Sequence, residues 1–277
     1  GLDVYFGGAG DDTVQSSGTS GSLNGVTFYG GDGSDFNVLN GLNNTDDSLF
    51  GEGGSDNLGA GGGDDYLDGG AGDDTLGFSY FQSFADGSEH TIVGGESGET
   101  FGDELGVSGG TDRNKITVTF NGDESGRVTS PDATTTIDFS EIENVRATNG
   151  DFVTIDATAS SADQVLTAAS FVSSSIVGGS GDDIVTTFAA SDVVNGGLGD
   201  DTIDTGAGDD LILLSDNFGN DIISGGVGTN TLDASSLTIS GVNVNFTGIL
   251  AGTLTDNTTG DVATFVTIEN ITTTDQD

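Results

Sequence analysis

Along two stretches of the chain a large aliphatic residue recurs every nine positions, each time two places after an aspartate. In the first stretch Asp47, Asp56, Asp65 and Asp74 are followed by Leu49, Leu58, Leu67 and Leu76; in the second, Asp183, Asp192, Asp201 and Asp210 are followed by Val185, Val194, Ile203 and Ile212. The residues between are rich in Gly and Asp, as in GGAGDD at Gly69–Asp74. Glycine adopts positive φ without steric cost and Asp tolerates turn geometry, so six such residues predict a tight turn. The remaining three form a short strand whose middle residue points one way and its neighbours the other. Repetition then stacks the aliphatic residues into a core column and the turns into a carboxylate ridge. If every turn reverses the chain, two units make a coil, which places Asp47 beside Asp65 and Asp56 beside Asp74. The expected fold is all-β: parallel β-roll or β-helix (solenoid) blocks interleaved with irregular β segments.

The rule is looser elsewhere. GGAGDDTV at Gly7–Val14 is a full unit with Asp12 in the aspartate place, whereas GGDGSD at Gly30–Asp35 is followed by Asn37 where an aliphatic residue belongs. Asp221 with Ile223, and Asn230 with Leu232, extend the second stretch; the turn Thr187–Ser191 before Asp192 has no glycine, which suggests weak ligand binding or a different backbone path. Between the blocks the period falls to two: Ile116, Val118 and Phe120 alternate with Thr117 and Thr119, which predicts strands. Phe78, Tyr80, Phe81 and Phe84 are expected to cover the side of the stack. The Ala- and Ser-rich stretch around Ala162–Ala169 suggests a short helix.

The chain also matches itself at an offset of 126: Ile116, Val118, Phe120, Phe139, Ile142, Glu143, Asn144 and Val145 fall on Val242, Val244, Phe246, Phe265, Ile268, Glu269, Asn270 and Ile271. The expected organisation is degenerate units at 1–46, a first regular block at 47–77, its β segment at 78–150, a connector at 151–177, a second block at 178–233 and its β segment at 234–277. Asn114 and Asn230 stand where aspartate is expected; each reads either as the end of its block, a neutral group where no further turn shares a cation, or simply as a good turn former. The first residues already lie inside a unit, which suggests a processed product or a piece of a longer chain.

Charge turns this pattern into chemistry. There are 46 acidic residues against four Lys and Arg, a formal net charge of -42. Nucleic-acid binding is excluded, because phosphate neutralisation needs basic side chains. An acidic surface by itself would mark only a soluble or salt-adapted protein, but stacked carboxylates at a fixed spacing repel unless something positive lies between them. A hard divalent cation with oxygen ligands meets that need, and calcium takes six to eight of them. With no Cys, thiolate zinc sites and disulfides are out. No run approaches membrane-spanning length. His90 is the single histidine and reads as a surface residue; no G-x-S-x-G elbow accompanies it, and GAGGGDD lacks the Lys of a phosphate loop. No enzyme activity is expected.

The repeated G-G-x-G-x-D-x-U-x unit resembles the RTX, or haemolysin-type calcium-binding, family. The resemblance covers roughly half the chain and implies a calcium-binding parallel β-roll. By position it implies ligands at Asp47, Asp56, Asp65, Asp74, Asp183, Asp192, Asp201 and Asp210, with Asp12, Asp35 and Asp221 beside them. It also implies ligation by turn carbonyls, here of Gly61, Gly63, Gly70, Gly72, Gly197 and Gly199, and several Ca2+ ions. It further implies secretion from a bacterium to the medium or cell surface, with folding triggered by external calcium. Its members range from toxins and lipases to adhesins and surface-layer proteins. The Thr, Ser, Gly and Asp bias and the tandem duplication look most like an adhesin or surface-layer protein, self-associating by end-to-end stacking, with cell-surface polysaccharide as a further candidate partner. The alternative is a non-catalytic secretion and folding module of a secreted enzyme or toxin.

Overall fold

The computed structural model describes residues 3–16, 25–39, 45–77, 87–95, 97–108, 115–130, 135–148, 152–169, 171–238 and 241–273. Phe78, Tyr80, Phe81, Phe84 and Asn114, singled out above, lie outside them. The chain divides into two compact units, Gly1–Val118 with Glu124–Gly150, and Thr119–Asp123 with Asp151–Asp277.

In the first unit successive strands alternate between two parallel sheets. One sheet runs through Asp3–Ala9, Val26–Asp32, Ser48–Gly53, Tyr66–Ala71, Glu89–Val93 and Thr136–Ser140. The other runs through Thr13–Ser16, Phe36–Leu39, Asn57–Gly59, Thr75–Gly77, Glu104–Ser108 and Asn144–Thr148. Register puts the aliphatic residues in line. Phe28, Leu49, Leu67, Ile92 and Phe139 form one column, and Leu58, Leu76, Leu105 and Val145 the other, all buried. Each fully buried side chain of this size contributes about 1.5–3 kcal/mol by leaving water.

The second unit repeats the arrangement. Phe152–Asp156, Ser174–Val177, Val193–Asn195, Leu211–Leu213, Thr231–Ala234 and Asn270–Thr273 pair in parallel, as do Val165–Ala169, Ile184–Thr187, Thr202–Asp204, Ile222–Ser224 and Val262–Val266. Its columns are Ile155, Ile176, Val194, Ile212, Leu232 and Ile271, and Leu166, Val185, Ile203, Ile223 and Phe265.

The segments matched at an offset of 126 take the same shape. Thr136–Ser140 pairs antiparallel with Ser125–Thr129, as Val262–Val266 does with Ala251–Asp256, and Phe139 and Phe265 extend a core column in their respective units. Val145 and Ile271, in the strands that follow, extend the other column.

The helix expected around Ala162–Ala169 is not there. Val165–Ala169 is a strand: Leu166 and Ala168 face the core, Leu166 aligns with Val185, and the parallel neighbour Ile184–Thr187 satisfies its backbone. Small residues were misleading because composition reports helix propensity weakly, while register and burial decide. No helix among the described residues is long and apolar enough to cross a membrane.

Candidate metal centre

Each aspartate of the nine-residue rule stands at the junction of turn and strand, next to the start of the corresponding strand in the neighbouring coil. For most of them the backbone N–H donates to Oδ1 of the aspartate one coil later. In the first unit one ladder runs from Asp12 to Asp35 (2.8 Å), Asp56 (2.7 Å), Asp74 (2.7 Å) and Asp103 (2.7 Å), and ends where Asp103 N donates to Glu143 Oε2 at 2.6 Å. The other runs from Val26 to Asp47 (2.7 Å) and Asp65 (2.8 Å). In the second unit Gln164, Asp183, Asp201 and Asp221 form one ladder. Ser174, Asp192, Asp210 and Asn230 form the other, and Asn230 N donates to Glu269 Oε2 at 2.6 Å.

A second, exposed ladder runs the opposite way from residues one place before those of the first. Asp64 N donates to Asp46 Oδ1 at 2.9 Å, Asp182 N to Asp163 Oδ1 at 2.7 Å, and Asp200 N to Asp182 Oδ1 at 2.8 Å. This explains the Asp-Asp pairs, which the nine-residue rule alone leaves unexplained: one carboxylate reaches to the coil before, its neighbour to the coil after.

Turn conformation supports the stack. Gly63, Gly70, Gly72, Gly197 and Gly199 take positive φ, whereas Gly61 does not. At Gly72 glycine is needed twice, since a Cβ there would collide with the carbonyl oxygen of Gly54 in the coil before as well as strain a φ of 121°. The glycine-free turn before Asp192 keeps a positive φ at the place of Gly72 nonetheless, because Ala190 takes a φ of 73° there. The different backbone path expected there does not occur at that position, and Asp192 N still donates to Asp210.

The first glycine of each turn defines a cradle. A Cβ on Gly51 would collide with Asp56 Oδ2 of its own turn and with the carbonyl oxygen of Gly69 in the next; Gly69 has the same relation to Asp74 Oδ2 and Gly94 O, and Gly30 to Asp35 Oδ2 and Gly51 O. Two acceptors therefore border one small space. Oδ2 of Asp35, Asp56, Asp74 and Asp201 is buried and takes no hydrogen bond. Burying an unpartnered carboxylate oxygen is costly unless a cation or a proton joins it. Burial, followed by the effect of the ionised aspartates nearby, raises Asp56 to about 6 and Asp74 to about 7. Asp47 and Asp183 rise to about 6, Asp201 to about 7 and Asp221 to about 8, again chiefly through burial. Asp65, Asp192 and Asp210 are raised for the same reason. Rows of unpartnered carboxylate oxygens facing backbone carbonyls, with few basic side chains in the chain, are a donor set that fits a hard divalent cation.

All eleven aspartates read from the sequence thus fall on the ladders, but three expectations need correction. His90 is not a surface residue: it is 3% exposed, occupies the place over Asp65, and puts Nδ1 3.3 Å from Asp65 Oδ2 and Nε2 3.0 Å from Ser88 Oγ. Second, the turn of Asn230 is not without a stacked partner, since Glu269 Oε2 accepts its N–H. Third, the first unit's counterpart of Asn230 is Asp103, which sequence reasoning missed. Four extra residues separate it from the first glycine of its turn, Gly94, and so break the nine-residue count. The signal that remained was the D-x-U triplet Asp103-Glu104-Leu105.

A family model for the RTX calcium-binding nonapeptide repeat matches the chain in four copies, at residues 1–18, 43–76, 187–216 and 213–236. A search of curated proteins gives no match. Among solved structures, the extracellular lipase LipA from Serratia marcescens is similar at 15% identity, over 92% of this chain and 40% of that one, with a TM-score of 0.28. The chain therefore spans less than half the length of that lipase.

Proposed function

The chain carries the RTX calcium-binding nonapeptide repeat, and on that premise we propose that it is a secreted structural protein of an extracellular assembly, folding and holding together on Ca2+. One observation carries this reading: the buried, unpartnered Oδ2 atoms facing turn carbonyls along the ladders. Calcium bound there supplies the positive charge that the sequence withholds. Asp35, Asp56, Asp74 and Asp201 would hold it with the turn carbonyls. Modules of this kind with dissociation constants of roughly 0.1–1 mM fill outside the cell and stay empty in a cytosol. Folding would then follow export.

The assembly half of the proposal draws on the sheet edges. The edge strand Asp3–Ala9 bares Val4, Tyr5 and Phe6, and the edge strand Val242–Gly248 bares Phe246. Edge strands with exposed apolar residues invite a further strand, from another copy or from continuing chain.

Circular dichroism in millimolar calcium and then in chelator tests the folding half: a large loss of β signal is expected, and an unchanged spectrum would overturn it. Light scattering in calcium tests the assembly half. Growth in size is expected; a monodisperse monomer would leave only the reading as a folding module of a longer secreted protein.

A further inference from the structure

The geometry points to one more cation site, outside the nonapeptide turns: Glu99, Asp103 and Glu143 bind a divalent cation of the calcium class at the end of the first unit's longer ladder. One ligand oxygen of each lies within 4.8 Å of the others. Proximity of acids alone would show nothing, but Asp103 is 0% exposed and its Oδ2 is buried without a hydrogen-bond partner. Its other oxygen is committed to Asp74 N at 2.7 Å.

The site is held from three directions. Glu143 is placed by accepting the N–H of Asp103 at 2.6 Å. The four-residue expansion of the turn brings in Glu99, and Asp73 fixes that expansion by accepting the N–H groups of Thr100, Phe101 and Gly102 at 2.7, 2.8 and 3.2 Å. The carbonyl oxygen of Glu141 and Asp103 Oδ2 both border the point a Gly94 side chain would fill. Three carboxylates and a carbonyl form a hard, all-oxygen set, which selects calcium over softer metals.

The second unit shows the same place with a neutral amide in it. Asn230 stands where Asp103 does, and its Nδ2 donates to Thr267 O at 3.1 Å. Thr267 is the residue matching Glu141 at an offset of 126. A neutral amide bridges the gap that the aspartate leaves between two acceptors. That turn also runs from Gly225 to Asn230 without an expansion and has no counterpart of Glu99.

Native mass spectrometry and calorimetric titration of the full chain with calcium ions alone test the proposal. Glu99→Gln, on the less buried part of the site, is expected to bind one ion fewer than the unaltered chain, and Glu143→Gln, which keeps an acceptor for Asp103 N, to lose the same ion. Glu269→Gln in the second unit should leave the number unchanged. An unaltered ion count and affinity in Glu99→Gln would overturn the site, as would an equal loss in Glu269→Gln. Failure of the unaltered chain to bind any calcium would also sink the broader functional proposal, so the two are told apart.

Discussion

The two units end a ladder with the same glutamate and differ in what lies beneath it. Glu143 accepts from Asp103 and Glu269 from Asn230, at the same 2.6 Å. Below Glu143 an aspartate oxygen is left facing a carbonyl; below Glu269 an amide N–H joins the corresponding carbonyl. One position thus separates an end that needs a cation from an end that satisfies itself with a hydrogen bond. The I-E-N motif common to both is a cap: its glutamate satisfies the last ladder N–H, and the N–H of the next residue in the first unit, Asn144, donates to Asp103 O at 2.9 Å.

The comparison breaks most completely on calcium removal, and pH sets the size of the effect. Ladder carboxylates such as Asp56 at about 6, Asp74 at about 7, and Asp103 and Asp221 at about 8 are raised in the folded chain above an ordinary value of 3.8. Between pH 4 and 8 the calcium-free folded state therefore binds more protons than the unfolded one, and its stability falls as pH rises. Below 3.8 both states are protonated and the penalty vanishes. In chelator the β signal should survive best near pH 5, with a urea midpoint that falls as pH rises until the folded state is largely lost towards pH 8. The stabilisation that calcium adds should grow over the same range, because calcium needs the ionised form. A chelated chain equally stable at both pH values would remove the ladders as the cause.

Core substitutions come next and should not distinguish the units. Leu105→Ala, between Leu76 and Val145, and Leu232→Ala, between Ile212 and Ile271, each empty one place in a closed column. Each should cost about 2–5 kcal/mol in calcium-loaded urea unfolding. A much smaller cost in one unit would show that its column is less tightly packed.

Exchanging the distinguishing residue should transfer the property. Asp103→Asn is expected to stabilise the chain in chelator and to bind one ion fewer in calcium. Asn230→Asp deletes the bond to Thr267 O and buries a carboxylate near Glu269, which should cost about 1–3 kcal/mol in chelator. If both exchanges left chelated stability unchanged, the contrast between the two ends would have no energetic content.

The ladders were legible from sequence because turn and strand have fixed lengths, so that Asp and Leu keep a constant spacing wherever coils are regular. Asp103 escaped because a turn can lengthen without disturbing the strands it joins; spacing is lost while register, Leu105 beside Leu76, is kept. His90 escaped for a related reason: nothing in Glu89–Val93 says which coil lies below it until pairing aligns Thr91 with Tyr66 and so brings the ring to Asp65. The paired acids were visible in the sequence as Asp-Asp, but their opposed directions depend on which backbone N–H each reaches.

Asn37 is the place where the first unit departs from its own rule, and correcting it should give the smallest effect. It occupies a core position in register with Val14 and Leu58, is fully buried, and neither amide atom of its side chain has a hydrogen-bond partner. Every corresponding position of the second unit's columns is aliphatic or aromatic. Replacing Asn37 with Leu removes the desolvation cost of an unpartnered amide, about 1–3 kcal/mol. The extra branch of leucine must be accommodated, which offsets part of that gain. A net stabilisation of about 1–2 kcal/mol is expected in calcium-loaded urea unfolding. Loss of stability would mean instead that a buried water or ion satisfies the amide, giving the first unit a polar feature in its core that the second lacks.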